Sequence, residues 1–196
     1  MLKRVFDILF SFLGIIILSP VFLIIAIIIK ADSKGPVIYK QVRVGRSGKD
    51  FSLLKFRTMR TDSDKEGLLT VGGRDSRITK SGYNLRKYKA DEFPQLINVF
   101  KGDMSFVGPR PEVRKYVNLY SESQRKVLDV RPGITDIASI KYRNENELLE
   151  SSKDPENYYI NEIMPDKIRL NLEYLKNRSF FKDLKIIFQT FGAIVK

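Results

Sequence analysis

The sequence contains no cysteine and no histidine. Disulfides, thiolate nucleophiles, zinc sites built from Cys and His, and a histidine general base are therefore excluded. Any catalysis by this chain has to use carboxylates, lysine, arginine, tyrosine, hydroxyl side chains, or a metal ion held by oxygen ligands. The absence of cysteine does not by itself indicate a redox compartment.

Acidic residues are also scarce relative to basic ones. The 196 residues include 35 Lys and Arg against 23 Asp and Glu, which gives a net charge of +12 and a pI near 9.8. The length is sufficient for one domain of ordinary size with its own core. The excess of positive charge predicts a phosphate-rich partner, such as nucleic acid, anionic lipid or a phosphorylated substrate.

A long apolar run near the N-terminus predicts a membrane segment. Residues 8–29 contain no charged side chain, and a helix of this length spans about 33 Å, enough for a hydrocarbon core of about 30 Å. The run is too long for a typical signal peptide, and the residues that follow it make a poor cleavage site.

Ser19 and Pro20 interrupt this run near its middle. Proline removes a helical hydrogen bond, and the Ser19 hydroxyl is placed to satisfy part of the freed backbone. Two interpretations follow: a kinked single span, or a re-entrant hairpin of two half-helices that break at Ser19-Pro20. Basic residues flank both ends of the run, and such residues mark the cytoplasmic side. That charge pattern favours the hairpin, but the residues alone leave both interpretations open.

The rest of the chain predicts an α+β domain that is mostly helical. Residues 35–59 read as a β-hairpin around a Gly-rich turn, and residues 61–74 as a polar loop. Helical patterns are predicted over residues 81–89, 91–100, 121–130 and 144–176, the last with breaks at its two prolines.

The C-terminal segment predicts an amphipathic helix. Phe181, Leu184, Phe188 and Phe191 fall on one helical face. Such a face is typical either of a helix that lies in the membrane interface or of one packed on the protein core. The N-terminal anchor favours the membrane interface.

The basic residues of the predicted hairpin also allow two interpretations. They could rest on anionic lipid beside the apolar segment. Alternatively, some of them could contact substrate phosphates, and Lys55 and Arg57 are the best candidates.

Two adjacent carboxylates, Asp91 and Glu92, stand in the segment KADEFPQLINVFKGDMSFVGPRPE. One interpretation is structural: Asp91 caps the following helix, Pro94 lies in its first turn, and Glu92 complements the helix dipole. The other is catalytic. Two carboxylates about 4 Å apart repel by about 4 kcal/mol at a surface-like dielectric. Mg²⁺ relieves that repulsion, because it binds one or two carboxylates together with substrate phosphates.

Cationic residues surround this pair in the sequence. Arg110 stands between two prolines, which fix it as a preorganised fork for phosphate oxygens, and Arg86 and Lys87 lie one short helix upstream. A metal site, a carboxylate nucleophile and phosphate clamps together suit phosphoryl transfer through an aspartyl-phosphate-type intermediate.

These motifs resemble those of the monotopic phosphoglycosyl transferases, also called bacterial sugar transferases. The resemblance extends from the Ser-Pro of the apolar run through the block ending in GPRPE to VRPGIT and SFFKDLKIIF, nearly the whole chain. It implies a re-entrant membrane hairpin at residues 1–34 and a compact catalytic domain at residues 35–196. The expected location is the cytoplasmic face of the inner (plasma) membrane.

The resemblance also implies a reaction. The family moves a sugar phosphate from a UDP-sugar to polyprenol phosphate, with undecaprenyl phosphate the expected acceptor, and releases UMP. Asp91 would be the nucleophile, Glu92 would hold Mg²⁺ beside Asp91, Arg110 would contact phosphate, and Arg131 would place the nucleotide. No nucleic-acid partner is expected. The rival hypothesis is a membrane-tethered protein whose basic surface binds nucleic acid or anionic lipid.

Two departures from the family pattern concern the substrate pocket. Asp136 follows VRPGIT where many members have Gly, and Asn171 stands where Asp is common. Neither departure affects the carboxylate pair. They bear on the sugar and nucleobase pocket, so the sequence does not name the sugar.

Overall fold

The structure is a computed structural model that describes residues 2–61, 63 and 75–195. The predicted loop at residues 61–74 therefore lies almost entirely outside the described residues. The predicted mostly helical α+β fold is confirmed. The helices are α1 (Leu2–Asp32), α2 (Lys80–Lys87), α3 (Gln95–Lys101), α4 (Arg114–Val117), α5 (Glu122–Arg125), α6 (Ile137–Lys141), α7 (Glu145–Glu150), α8 (Pro155–Tyr158), α9 (Met164–Lys176) and α10 (Phe180–Val195). The strands are β1 (Ile38–Val44), β2 (Asp50–Phe56), β3 (Ser105–Val107) and β4 (Gly133–Thr135).

Helix α1 runs through the Ser-Pro step instead of dividing there. The prediction of two separate half-helices is therefore wrong at the level of secondary structure. Pro20 has no N–H to offer the carbonyl of Ile16 four residues earlier. The Ser19 hydroxyl donates to that carbonyl at 2.8 Å. This contact is the compensation expected from the sequence, and it lets the helix continue past the proline.

The N-terminal turns of α1 are attached to the rest of the protein by polar contacts. Lys3 Nζ donates to the Val107 carbonyl at 2.8 Å and to Asp183 at 2.5 Å. Asp7 is 3% exposed and accepts hydrogen bonds from the Ser105 hydroxyl and the Phe106 N–H, each at 3.1 Å. The start of α1 is thus fixed to β3 and α10.

The C-terminal end of α1 is attached to the same body. Asp32 accepts hydrogen bonds from the Ser81 N–H and hydroxyl at the start of α2. The Arg57 guanidinium donates to three main-chain carbonyls just beyond α1. These are Ser33 at 2.8 Å, Lys34 at 2.5 Å and Pro36 at 2.7 Å. Both ends of the apolar helix therefore dock on one domain.

Most apolar side chains in the middle of α1 are exposed. Ile17, Leu23 and Ile27 are 71%, 64% and 61% exposed. Within the described residues, α1 is the one helix long and apolar enough to cross a membrane. An apolar surface of this extent marks a contact with membrane or protein, and it agrees with the membrane segment predicted from the sequence.

The predicted β-hairpin is confirmed. β1 and β2 pair antiparallel from Ile38 opposite Phe56 to Val44 opposite Asp50. Asn98 on α3 fastens the hairpin to the following helix, because its amide donates to Ser52 O and its carbonyl oxygen accepts from Leu54 N. The edge of β2 therefore holds α3 in a fixed position.

A second sheet holds the Pro-Arg-Pro segment. β3 and β4 pair parallel and are followed by residues 108–111 and by α6. Gly108 and Gly133 approach so closely that a Cβ on Gly133 would lie 2.2 Å from the Gly108 nitrogen. Only glycine fits at this crossing, which sets where the segment leaves the sheet.

The C-terminal half is helical as predicted. The predicted break at Pro155 is confirmed, because α7 ends at Glu150 and Pro155 starts α8. Pro165 lies in the first turn of α9. The amphipathic C-terminal helix is confirmed as α10. Phe181, Phe188 and Phe191 point outward with exposures of 81%, 72% and 63%, and their contact with membrane stays a prediction.

Candidate active site

The two carboxylates lie in a tight turn between α2 and α3. Lys89 adopts a left-handed conformation with φ of 55°, and the next three residues form the single 3₁₀ turn Ala90–Glu92. Helix α3 starts after Pro94, whose side chain makes no capping bond. The interpretation of Asp91 as a helix cap is therefore wrong. Its carboxylate is left available for another role.

Asp91 is buried, and it has no bonding partner among the residues that the structure describes. Its exposure is 7%, and within the described part of the chain no hydrogen bond or ion pair reaches its carboxylate. Burial raises the pKa of Asp91 above its ordinary value, and the charge of Glu92 adds to the effect, although Lys55 opposes it. A desolvated, unpaired carboxylate is a better nucleophile than a solvated one.

Glu92, in contrast, is held by two cations. Both Glu92 oxygens accept from the Arg110 guanidinium, and Lys55 Nζ lies 3.3 Å from Oε1. Burial alone would raise the pKa of Glu92, but Arg110 and Lys55 outweigh it and hold that pKa well below its usual range. The adjacent carboxylates therefore have different environments: Glu92 is fixed and ionised, and Asp91 is free.

Arg110 is positioned by its backbone as well as by its side chain. Its N–H donates to Asp136 Oδ2 at 2.8 Å, and its guanidinium donates to the Ile134 carbonyl at 3.2 Å. Asp136 is 1% exposed and also caps α6 through the Ser139 N–H at 2.6 Å. Asp136 therefore links α6 to the arginine that holds Glu92.

Two further predicted residues join this group. Lys55 lies on β2 beside Glu92, and burial lowers its pKa while Glu92 partly restores it. Arg86 lies at the end of α2, where burial lowers its pKa and the charge of Asp91 opposes the shift. The predicted Lys55, Arg86 and Arg110 thus surround the Asp91–Glu92 turn, as a phosphate site requires.

The structure places the other predicted substrate-binding residues elsewhere. The Arg57 guanidinium is occupied by the backbone carbonyls after α1. Lys87 is exposed, with its ammonium 5.5 Å from the Tyr88 ring centroid. Arg131 donates to the Gly102 carbonyl at the far end of α3 from the carboxylates. The structure shows these contacts, and a role of the three residues in substrate binding stays a prediction.

Comparison with known proteins identifies the family. The profile of the bacterial sugar transferases matches residues 1–196. The chain belongs to the bacterial sugar transferase family. EpsL of Bacillus subtilis, described as an uncharacterized sugar transferase, is 39% identical over 194 residues, which cover 99% of this chain and 87% of EpsL.

Two relatives carry an assigned reaction in their names. The UDP-glucose:undecaprenyl-phosphate glucose-1-phosphate transferase of Klebsiella pneumoniae is 40% identical over 192 residues, 96% of this chain. The UDP-N-acetylgalactosamine-undecaprenyl-phosphate N-acetylgalactosaminephosphotransferase of Aeromonas hydrophila is 36% identical over 199 residues, 99% of this chain. The chain spans only 39% and 44% of the lengths of these two proteins.

The oxygen ligands at the carboxylate pair can be compared with those that a magnesium ion requires. The described residues contain no cluster of three or more His, Cys, Asp or Glu side chains. A carboxylate offers about four lone-pair positions, and Arg110 and Lys55 use three on Glu92. One position on Glu92 Oε2 and the carboxylate of Asp91 remain. That set fits Mg²⁺, which completes its shell with water and substrate phosphates.

The sequence linked Asp136 to the sugar and nucleobase pocket and missed its connection to the carboxylate pair. A signal that could have shown a capping role is the position of Asp136 directly before the residues that form α6, because Asp is a favoured N-cap. A capping carboxylate has a second oxygen to offer, and here that oxygen holds the Arg110 N–H. Only the pairing of β3 with β4 brings the two residues together.

Proposed function

We propose that this protein transfers a sugar phosphate from a UDP-sugar to polyprenol phosphate and releases UMP. The main observation behind the proposal is the asymmetry of the carboxylate pair, in which Asp91 is buried and unpaired while Glu92 is clamped by Arg110 and Lys55. The named reactions of the Klebsiella and Aeromonas relatives supply the substrate classes.

In the first step, an Asp91 carboxylate oxygen attacks the phosphorus that bears the sugar. A bond from Asp91 to phosphorus forms, the bond from that phosphorus to the bridging oxygen breaks, and UMP leaves with the bonding electrons. Arg110 and Lys55 lie where they can neutralise charge on the phosphoryl oxygens, and Arg86 adds a third cation. Positioning and charge neutralisation are what phosphoryl transfer requires of a protein.

In the second step, a phosphate oxygen of the polyprenol phosphate attacks the same phosphorus. The bond to Asp91 breaks, the carboxylate is restored, and the product is a polyprenol diphosphate sugar. Because each step is a displacement at one phosphorus, UMP leaves before the acceptor reacts. The proposal therefore requires two-step kinetics with a covalent Asp91 intermediate.

We further propose that Mg²⁺ is the cofactor and that Glu92 Oε2 and Asp91 hold it. When bound, the ion supplies positive charge to the diphosphate and relieves the repulsion between the carboxylates. Arg110 keeps Glu92 ionised and oriented for this contact.

The protein is proposed to be monotopic, on the cytoplasmic face of the inner membrane. Helix α1 would extend about 46 Å if straight, yet both of its ends bind the catalytic domain. The polar contacts at the two ends of α1 form two anchor sets. If α1 spanned the bilayer, about 30 Å of hydrocarbon would separate one anchor set from the catalytic domain that it binds. The two anchor sets support a re-entrant segment whose ends lie on one side, with the exposed aromatic face of α10 resting on the lipid.

The topology can be tested by cysteine labelling, because the chain has no cysteine of its own. Lys3→Cys and Lys34→Cys, each made singly, should react with an impermeant thiol reagent in inside-out vesicles and stay unlabelled in right-side-out vesicles. Lys153→Cys in the catalytic domain is the control that reports the cytoplasmic side. Labelling of the two positions from opposite sides would show a spanning helix instead.

The reaction can be tested directly with a panel of UDP-sugars, undecaprenyl phosphate and Mg²⁺. We expect UMP release with at least one UDP-sugar, its loss in EDTA and its return on adding Mg²⁺. Absence of UMP with every sugar would contradict the transferase proposal. Undiminished UMP release from enzyme stripped of metal would contradict the cofactor proposal alone.

A further inference from the structure

A cavity of about 160 Å³ opens beside the carboxylate site. It lies between the Pro-Arg-Pro segment, the first strand of the hairpin and helix α9. Its polar wall includes Arg43, Arg110, Glu112, Tyr159, Lys167 and Asn171. Arg110 is shared with the carboxylate site, because it lines the cavity and its guanidinium also holds Glu92.

The polar wall of the cavity is organised around Glu112. Its Oε1 accepts from Arg43 at 2.9 Å and from the Val113 N–H at 2.7 Å, and its Oε2 accepts from the Tyr159 hydroxyl. Lys167 lies on the opposite helix, paired with Glu145 at 2.7 Å. These residues come from four separate stretches of the chain. The hydrogen bonds and ion pairs between them hold the side chains that line the cavity in place.

Two buried polar atoms of this wall have no hydrogen-bond partner in the described part of the chain. They are Asn171 Oδ1, an acceptor, and Arg43 Nε, a donor. Asn171 itself is only 5% exposed. An unsatisfied buried polar group destabilises the protein, and such groups are usually satisfied by water or by a ligand. One acceptor and one donor on residues that line the cavity are therefore left without a partner.

The position of the cavity relative to Asp91 favours one part of the donor. In a UDP-sugar, the phosphorus attacked by Asp91 carries the sugar directly through one oxygen. The uracil is separated from that phosphorus by a second phosphate and a ribose. Arg110 lines the cavity and also holds Glu92 beside Asp91. The cavity is therefore adjacent to the expected position of the sugar. Sugar hydroxyls both donate and accept, which matches Asn171 Oδ1 and Arg43 Nε.

We propose that this cavity is the pocket for the sugar ring of the donor, and that Asn171 Oδ1 accepts a hydrogen bond from one of its hydroxyl or acetamido groups. This inference rests on the proposed function. It assigns sugar selectivity to α9 and the Pro-Arg-Pro segment, apart from the carboxylate turn. Because the sugar stays attached to Asp91 after UMP has left, the pocket is occupied in both steps of the reaction.

The distinguishing test compares Asn171→Leu with the matched control Asn161→Leu, whose parent residue is exposed. With the preferred UDP-sugar, Asn171→Leu should lower kcat/KM by about 10-fold or more, the effect of losing one buried hydrogen bond. The inhibition constant of UMP should change less than twofold. Transfer from preformed phospho-sugar enzyme to undecaprenyl phosphate should also slow. Asn161→Leu should leave all three quantities unchanged.

Asn171→Asp is a control for loss of activity through misfolding, because it keeps an acceptor oxygen at the same position. It should retain more of kcat/KM than Asn171→Leu, and thermal unfolding reports whether both variants are folded. Equal weakening of UMP inhibition and of UDP-sugar turnover would assign the cavity to the nucleoside and overturn the proposal. No change in any quantity would show that water alone fills it. A wild-type protein that releases no UMP from any UDP-sugar would refute the proposed function itself.

Discussion

Asp91→Asn should eliminate UMP release in the absence of acceptor. The wild-type protein, mixed with its UDP-sugar and Mg²⁺ but no polyprenol phosphate, should release about one UMP per active site and then stop, as a covalent intermediate demands. The variant amide cannot form the acyl phosphate. Turnover with acceptor should fall at least about 10³-fold, since loss of a covalent nucleophile removes far more than a binding contact.

Two control variants separate the roles of the carboxylates. The release of about one UMP per active site without acceptor is called the burst. Glu92→Gln should slow the burst without eliminating it, because Asp91 remains. Asp50→Asn changes an exposed carboxylate that is paired with Arg114 on the surface, and it should leave the burst intact. A full burst in Asp91→Asn would assign the nucleophile to another residue and reduce Asp91 to a base or a metal ligand.

Arg110→Met should reduce both activity and stability. Removal of the guanidinium leaves the Glu92 carboxylate, whose side chain is 15% exposed, with Lys55 as its remaining cation. Breaking a fully buried ion pair costs about 3–5 kcal/mol, and the 32% exposure of the Arg110 side chain reduces the expected loss to about 2–3 kcal/mol. Turnover should fall at least about 100-fold, because a preorganised charge donor is lost.

A double variant and a surface control identify the origin of that loss. Arg110→Met combined with Glu92→Gln removes the unpaired charge, so urea unfolding should show most of the stability restored while activity stays low. Arg114→Met breaks a pair whose members are 42% and 48% exposed, and it should change stability by less than about 1 kcal/mol. A double variant as unstable as Arg110→Met would show that packing, and not the ion pair, stabilises this position.

Local patterns in the sequence were sufficient for several elements. The hairpin, α2 and the amphipathic α10 were predicted because each pattern lies within the element it describes. The hydroxyl of Ser19 was predicted to compensate for the proline, and it does so within one turn of the same helix. Arg86 and Arg110 were linked to the carboxylate pair by residue type and spacing, and Lys55 was predicted as a phosphate contact of the hairpin. The fold brings all three cations to the pair.

Features that depend on distant contacts were not predictable from local pattern. The cap interpretation of Asp91 failed because Lys89 adopts a left-handed conformation and turns the chain before α3 begins. Arg57 was predicted to contact phosphate, and the family resemblance implied that Arg131 places the nucleotide. In the structure, main-chain carbonyls that only the tertiary fold supplies accept hydrogen bonds from the Arg57 guanidinium and from Arg131 Nε. Asp136 reaches Arg110 across 26 positions of sequence, through the pairing of β3 with β4.

The covalent intermediate is tested most directly by the intact mass of the protein. Wild-type protein incubated with its UDP-sugar and Mg²⁺, without acceptor, should gain the mass of one phospho-sugar, located on the peptide that contains Asp91. Adding undecaprenyl phosphate should return the mass to that of the free protein as the lipid product forms. An unchanged mass, with UMP appearing only when the acceptor is present, would contradict the account and indicate direct transfer between the two substrates.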